Sequence, residues 1–207
     1  RGASKRGTTF LQETEVKGLL YQQHRVVGVQ LASGTLEADW VVMASGAWSG
    51  QYGDWLGVDL PVHPVRGQIL AARILPSPIA RGVWRGMTYL VPKADGSIVI
   101  GTTREEVGFQ ERATLQGIST VLYRAIGVVP AIAGAELHKT WAGLRPSSPD
   151  GIPILGRVDG CEGVLVATGH YRSGILLSAA TGKRIADYIT KGEEKPLLPF
   201  GLSRFAS

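Results

Sequence analysis

Two apolar runs, VVM at 41–43 and GVLVAT at 163–168, each close on small residues and a glycine: Ala44, Ser45 and Gly46 after the first, Gly169 after the second. A short run without polar alternation reads as a strand buried on both faces, the habit of parallel sheets covered by helices. Two such strands can pair, yet residues 47–162 lie between them, so a further layer has to be inserted into the chain. Where the second run ends, GHYRSGILLSAATG (169–182) turns from strand to helix near Ser173. The unpaired N–H groups of a helix start there favour negative charge.

The rest of the pattern is antiparallel. Between 14 and 43, EVKGLLYQ, RVVGVQLA and TLEADWVVMA are three strand-like stretches separated by QQH and by a Ser33-Gly34 turn, which predicts a β-meander. HPVRGQILAARI and the hairpin TYLVPKADGSIVIGTT, with its Asp95-Gly96 turn, predict a second, antiparallel sheet. Leu115, Ile118, Leu122, Ile126 and Val129 recur at helical spacing, predicting a helix over 111–129 that Pro130 ends. A strand over about 137–144 leads into RPSSPDGIPILG, and the last helix should run to about Ile189. The fold class expected is α/β plus α+β: a Rossmann-like portion with a β-meander, interrupted by an antiparallel sheet with a helix. Its divisions are expected at 1–60, 61–142 and 143–207. RGASKRG reads as the tail of a helix stopped by Gly7, followed by strand-like TTFLQETEV, so the chain is expected to begin inside a domain. The tail from Gly192 is expected to run along the surface.

Composition removes several classes of function. With 44% apolar and 19% charged residues the chain is that of a folded globular protein. It has no apolar run long enough for a membrane-spanning helix and no signal-peptide pattern at its start, which points to the cytoplasm. Lone Cys161, in the loop-like stretch DGCEG, is given a structural or neutral role. The net charge of +5 comes from scattered residues, with Arg1, Lys5 and Arg6 as the nearest thing to a cluster, so nucleic acid is not an expected partner. The four histidines have no metal-ligand spacing, and no metal is expected. Gly46-Ala-Trp-Ser49-Gly50 lacks the nucleophile-elbow order, and neither a P-loop nor G-x-G-x-x-G occurs.

VVMASGAWSG, PVHPVRGQIL, YLVPKADGSIVIGTT, WAGLRPSSPDGIPILG and GHYRSGILLSAATG, in this order, resemble the second half of the D-amino-acid-oxidase superfamily of FAD enzymes, the glycine oxidase branch of thiamine biosynthesis most of all. The resemblance implies a partial FAD-binding domain (1–60 and 143–207) and a substrate-binding domain (61–142). It implies that His170, Tyr171, Arg172, Ser173, Gly174, Ile175 and Leu176 lie beside the flavin ring, with Ala44, Ser45 and Gly46 also on the cofactor. Val16, at the end of its strand, would meet adenine through its backbone. Arg145 would receive the substrate carboxylate, joined by the Tyr89 hydroxyl and by Arg172 as a gate. No side-chain catalyst is implied, since orientation and electrostatics suffice when the amine binds neutral. With no cysteine near RPSSPD the FAD should be non-covalent. The family's dinucleotide fingerprint would precede Arg1, so this chain alone is expected to bind no FAD and to be inactive. The implied reaction is oxidative deamination of glycine or a related small amino acid, with hydride passing to FAD, the imine hydrolysed and O2 reduced to H2O2, feeding thiazole synthesis. A small amino acid and O2 are the implied partners, with self-association of the full-length protein. A sister oxidase acting on sarcosine, a D-amino acid or proline, and a non-catalytic folded module, are the alternatives.

Overall fold

The computed structural model describes residues 2–205, so Arg1 of the basic N-terminal group and Ala206 and Ser207 of the tail lie outside the described residues. Its elements are strands β1 (Val16–Gln22), β2 (Arg25–Leu31), β3 (Gly34–Glu37) and β4 (Val41–Met43), then a short helix α1 (Gly53–Leu56). Strands β5 (His63–Arg73), β6 (Val83–Arg85), β7 (Thr88–Pro92) and β8 (Ser97–Gly101) follow, with helix α2 (Leu115–Val128) and strand β9 (Glu136–Ser147). The hairpin of β10 (Ile154–Val158) and β11 (Cys161–Thr168) leads into helix α3 (Gly174–Lys191).

One sheet runs β1-β2-β11-β10, with β3 on β2 and β4 beside β11; the other runs β6-β7-β8-β5-β9. The two apolar runs meet as parallel neighbours, Val41, Val42 and Met43 opposite Val164, Leu165 and Val166. Both faces of β11 are covered. Val164 and Val166 enter one core with Val26, Met43, Leu56 and Ile154, while Leu165 enters another with Leu155, Ile185 and Leu197. The Thr168 hydroxyl donates to the Gly46 carbonyl at 3.1 Å and lies 2.6 Å from the Ser49 hydroxyl, which holds the two glycine ends together. In the second sheet Leu70, Leu90, Ile98 and Ile100 pack on Val121 and Ala125 of α2.

Several expectations are corrected. TLEADWVVMA is two strands: its polar half returns along β2 as β3, and its apolar half crosses to β11 as β4. The exposed TLE suits an edge, whereas VVM needs cover. Residues 8–15 form no strand, and residues 2–7 hold only a 3-10 turn (Ser4–Arg6) closed by Gly7 at φ 88. The helix begins at Leu115, with the Thr114 hydroxyl accepting from the Gly117 N–H at 3.1 Å, and its contact face is Gly117, Val121 and Ala125. Leu115 is 90% exposed because the bare Gly117 backbone seats directly on the Gln68 side chain, so small residues set the contact and bulky ones flank it. Strand β9 is longer than expected, and β10 was missed. Cys161 is no loop residue: it is buried, opens β11 and lies 3.3 Å from the Tyr21 hydroxyl. The tail is anchored, with Leu197 2% exposed against Leu155 and Leu165, and Leu202 and Phe205 packed on the first core.

Candidate active site

Arg145 sits near the end of β9, opposite Val65 of β5. Its guanidinium reaches across the sheet: one terminal nitrogen donates to the Thr102 hydroxyl at 2.7 Å, the other to the carbonyls of Thr103 at 3.2 Å and Arg66 at 3.4 Å. Gly67 on β5 makes the room, because a Cβ there would collide with the guanidinium. These partners are neutral. The nearby carboxylates are committed elsewhere, Glu105 to Arg66 and Gln68, Glu106 to His63 and Arg104. Burial pulls the Arg145 pKa down; Tyr171 and Tyr89 oppose this, and Arg172 and Arg104 add to it. A guanidinium keeps its proton under such pressure, so the result is a half-buried cation whose charge no acid among the described residues offsets.

Two tyrosines frame it. Tyr89 on β7 faces Gly101 of β8, where a Cβ would meet the phenol ring. Burial raises its pKa above the ordinary 10.0, with Arg145 and Arg172 pulling back, so the hydroxyl is neutral at pH 7. Tyr171, at φ 48, donates its N–H to the Pro146 carbonyl at 2.8 Å. The guanidinium carbon of Arg145 lies 6.0 Å from the Tyr171 ring centroid and that of Arg104 lies 5.9 Å from it. Arg145, Tyr89, Tyr171 and Arg172 are thus brought together, and Arg104 joins them without having been singled out in the sequence.

The strand-to-helix corner lies beside this group. Gly169 turns at φ 71, Ser147 bridges to His170, and Ser173 caps α3 without a side-chain hydrogen bond. Helix geometry leaves the N–H groups of Gly174, Ile175 and Leu176 without intrahelical acceptors. The side chains of Ile175 and Leu176 are 94% and 85% exposed. His170 is held by its Nε2 at 3.0 Å from the Thr181 hydroxyl, and burial lowers its pKa. Across β11, Gly46 turns at φ 56 with open space where a Cβ would stand, next to exposed Ala44 and half-buried Ser45. Val16 is placed differently from expectation: it begins β1 rather than ending it, paired with Leu31.

These groups define a class. Free helix-start donors, an uncapped corner and exposed apolar side chains suit the electron-rich edge of a flat heterocycle, and an unpaired arginine beside them suits a carboxylate. The chain has no glycine-rich loop for a pyrophosphate, so its residues fit the ring of a flavin and leave the phosphates unserved. Among the described residues no cluster could hold a metal, and no helix is long and apolar enough to cross a membrane. The arrangement is compatible with the ring-facing part of a flavin site beside an anion position.

The chain belongs to the DAO family of FAD-dependent oxidoreductases, whose family model matches residues 1–188. It is 43% identical over 195 residues to the bifunctional protein ThiO/ThiG of Trichormus variabilis, covering 92% of this chain and 29% of that protein. It is 39% identical over 187 residues to the glycine oxidase of Pseudomonas putida, covering 88% of this chain and 50% of the relative. The crystal structure of glycine oxidase from Geobacillus kaustophilus superposes with a TM-score of 0.88 at 34% identity, covering 99% of this chain and 56% of that one. The chain therefore spans half or less of the length of these curated relatives.

What the sequence reading missed is the support around Arg145. Gly67, Gly101, Thr102 and Thr103 carry no charge, and within PVHPVRGQIL and YLVPKADGSIVIGTT nothing singled them out. The only signal was that two strands otherwise rich in branched residues each contain a glycine, a mark of close approach.

Proposed function

We propose that this chain supplies the substrate pocket and the flavin-ring contacts of a non-covalent FAD-dependent oxidase acting on glycine or a related small amino acid, with O2 as acceptor. The observation that carries the reading is Arg145, a half-buried guanidinium pinned by neutral partners and, among the described residues, matched to no acid. Such a group pairs with a carboxylate through two parallel hydrogen bonds, and Tyr89 adds a hydroxyl from β7 of the same sheet. Arg172, exposed, is assigned the pocket mouth. When bound, FAD supplies the hydride-accepting atom. The chain's own work is to orient the amino acid by its carboxylate, to leave its amine free, and to hold negative charge at the N–H groups of Gly174, Ile175 and Leu176. Ala44, Ser45, Gly46, His170, Tyr171 and Ser173 complete the ring contacts in this reading, and Val16 serves the adenine end. The functional divisions 1–60, 61–142 and 143–207, a cytoplasmic setting and a supply of imine for thiazole synthesis belong to the same proposal, supported by the likeness to ThiO/ThiG and glycine oxidase.

The test uses flavin-loaded full-length protein and peroxide release from glycine. Arg145→Leu should weaken apparent glycine affinity by roughly 2 kcal/mol or more, with FAD content unchanged, and Arg145→Lys should recover only part of it. A Leu variant within about threefold of the parent (under ~1 kcal/mol) overturns the role of Arg145.

A further inference from the structure

The carbonyls that aim Arg145 belong to two residues whose side chains are tied to one carboxylate. Arg145 donates to the carbonyls of Arg66 and Thr103 and to the Thr102 hydroxyl, which itself donates to the Thr103 carbonyl at 3.2 Å. The Arg66 guanidinium grips Glu105 through Nε and one terminal nitrogen, and its other terminal nitrogen donates to the Arg112 carbonyl at 3.1 Å. The Thr103 hydroxyl bonds to the same carboxylate and accepts the Gln68 N–H at 2.9 Å. Fully buried Gln68 sends its side-chain amide to both Glu105 oxygens, at 2.9 and 3.0 Å. The main chain repeats the connection: the Arg66 N–H donates to the Glu105 carbonyl at 2.9 Å, the Glu105 N–H to the Arg66 carbonyl at 3.1 Å, and the Thr103 N–H to the Gln68 carbonyl at 3.3 Å.

Glu105 and Arg145 lie on opposite sides of β5. Gly67 is the residue under the Arg145 guanidinium, so alternation along the strand turns the side chains of Arg66 and Gln68 to the other face, where Gln68 meets Thr114 at the start of α2. A carboxylate on that face holds the acceptors of Arg145 without cancelling its charge. The Arg145 bonds to the two carbonyls, at 3.4 and 3.2 Å, are long, so they are easily lost if either carbonyl shifts. We infer that Glu105 is a positioning residue for the substrate: by fixing Arg66 and Thr103 from the far face of β5, it sets the direction in which Arg145 presents its fork to a carboxylate. This rests on the reading of Arg145 given above.

The test uses flavin-loaded full-length protein. Glu105→Gln places an amide nitrogen among the donors of Arg66, Gln68 and Thr103. It should weaken acetate binding, read by calorimetry, about fivefold, which is about 1 kcal/mol, with FAD content unchanged. KM for glycine should rise by the same factor and kcat change less than about twofold, because the carboxylate is paired equally before and in the transition state. Adding Arg66→Met to Glu105→Gln removes the buried unpaired charge, so thermal stability should return while the acetate loss persists. Thr103→Val should show a similar loss, and Thr103→Ser, which keeps the hydroxyl, should recover most of it. Acetate affinity within about twofold of the parent in Glu105→Gln, or an affinity that returns with stability in the double variant, overturns the inference. If the parent binds no acetate, the carboxylate reading of Arg145 fails, and the Arg145 Nε–H resonance of protein carrying isotope-labelled arginine still decides this one. The guanidinium lies 6.0 Å from the Tyr171 ring centroid, so its resonance should move in Glu105→Gln and in the double variant; an unmoved resonance overturns the positioning role.

Discussion

Arg145 is held in place by what Gly67 lacks. Since a Cβ at residue 67 would meet only the tip of a flexible side chain, Gly67→Ala should be tolerated by β5 and felt by the guanidinium. Alanine in a strand interior is favoured over glycine by about 0.5–1 kcal/mol. The variant should therefore melt at or slightly above the parent temperature while losing about tenfold in affinity for acetate and glycine, a split that calorimetry and a thermal melt measure together. A variant that loses stability and keeps affinity would show that Arg145 does not need this space. The neighbouring Tyr89 has a pH consequence. Burial raises its pKa above 10.0, so its hydroxyl stays a donor through neutral and mildly alkaline solution, and carboxylate binding should not decline until pH passes the ordinary phenol value.

At the scale of elements, β5 and α2 are locked by a buried polar network. Glu105 pairs with Arg66, Gln68 donates to the same carboxylate at 2.9 Å, and the Gln68 carbonyl accepts from the Thr114 N–H at 2.7 Å, where α2 begins. Burial pushes the Glu105 pKa up, but hydrogen bonds from Gln68, Thr103 and Arg66 outweigh it and leave it lowered. A lowered carboxyl pKa stabilises the fold above the unfolded value and ceases to do so as pH falls through the folded one. The second sheet should thus loosen below the usual glutamate range. Glu105→Gln should cost about 2–4 kcal/mol in a denaturant titration at pH 7, because Arg66 would keep a buried, unpaired charge. None of this network was legible in the sequence, where Arg66, Gln68, Glu105 and Thr114 are dispersed polar residues. Local chemistry was legible: the Asp95-Gly96 turn, the Ser173 start of α3 and the glycine ends of β4 and β11 all follow from neighbours in the chain. Partner choice was not. TLEADWVVMA reads as one strand until β2 and β11 compete for its halves, and Leu115 reads as core until Gly117 seats the helix on Gln68.

At the scale of the whole molecule, the tail is a clamp. Leu197 fills a gap between β10, β11 and α3, and Arg204 pairs with Asp150 at 2.7 Å in the turn after β9. Leu197→Ala should cost about 2–4 kcal/mol by leaving a cavity. The Arg204 hydrogen bonds bring the Asp150 pKa from 3.8 to about 2, so this pair's contribution holds above pH 4 and disappears as pH falls from 3.8 toward 2. A further joint between the sheets is made at Pro146. Pro64 of β5 faces Pro146 of β9, neither has an N–H to give the ladder, and the Pro146 carbonyl takes the Tyr171 N–H from the glycine corner instead. Together with the Ser147–His170 bridge, that amide proton ties the glycine corner to β9 one residue from Arg145. Its exchange with deuterium is therefore a clock for their separation: the Tyr171 amide should exchange more slowly when a carboxylate occupies Arg145, while amides at the outer edge of β6 keep their rates.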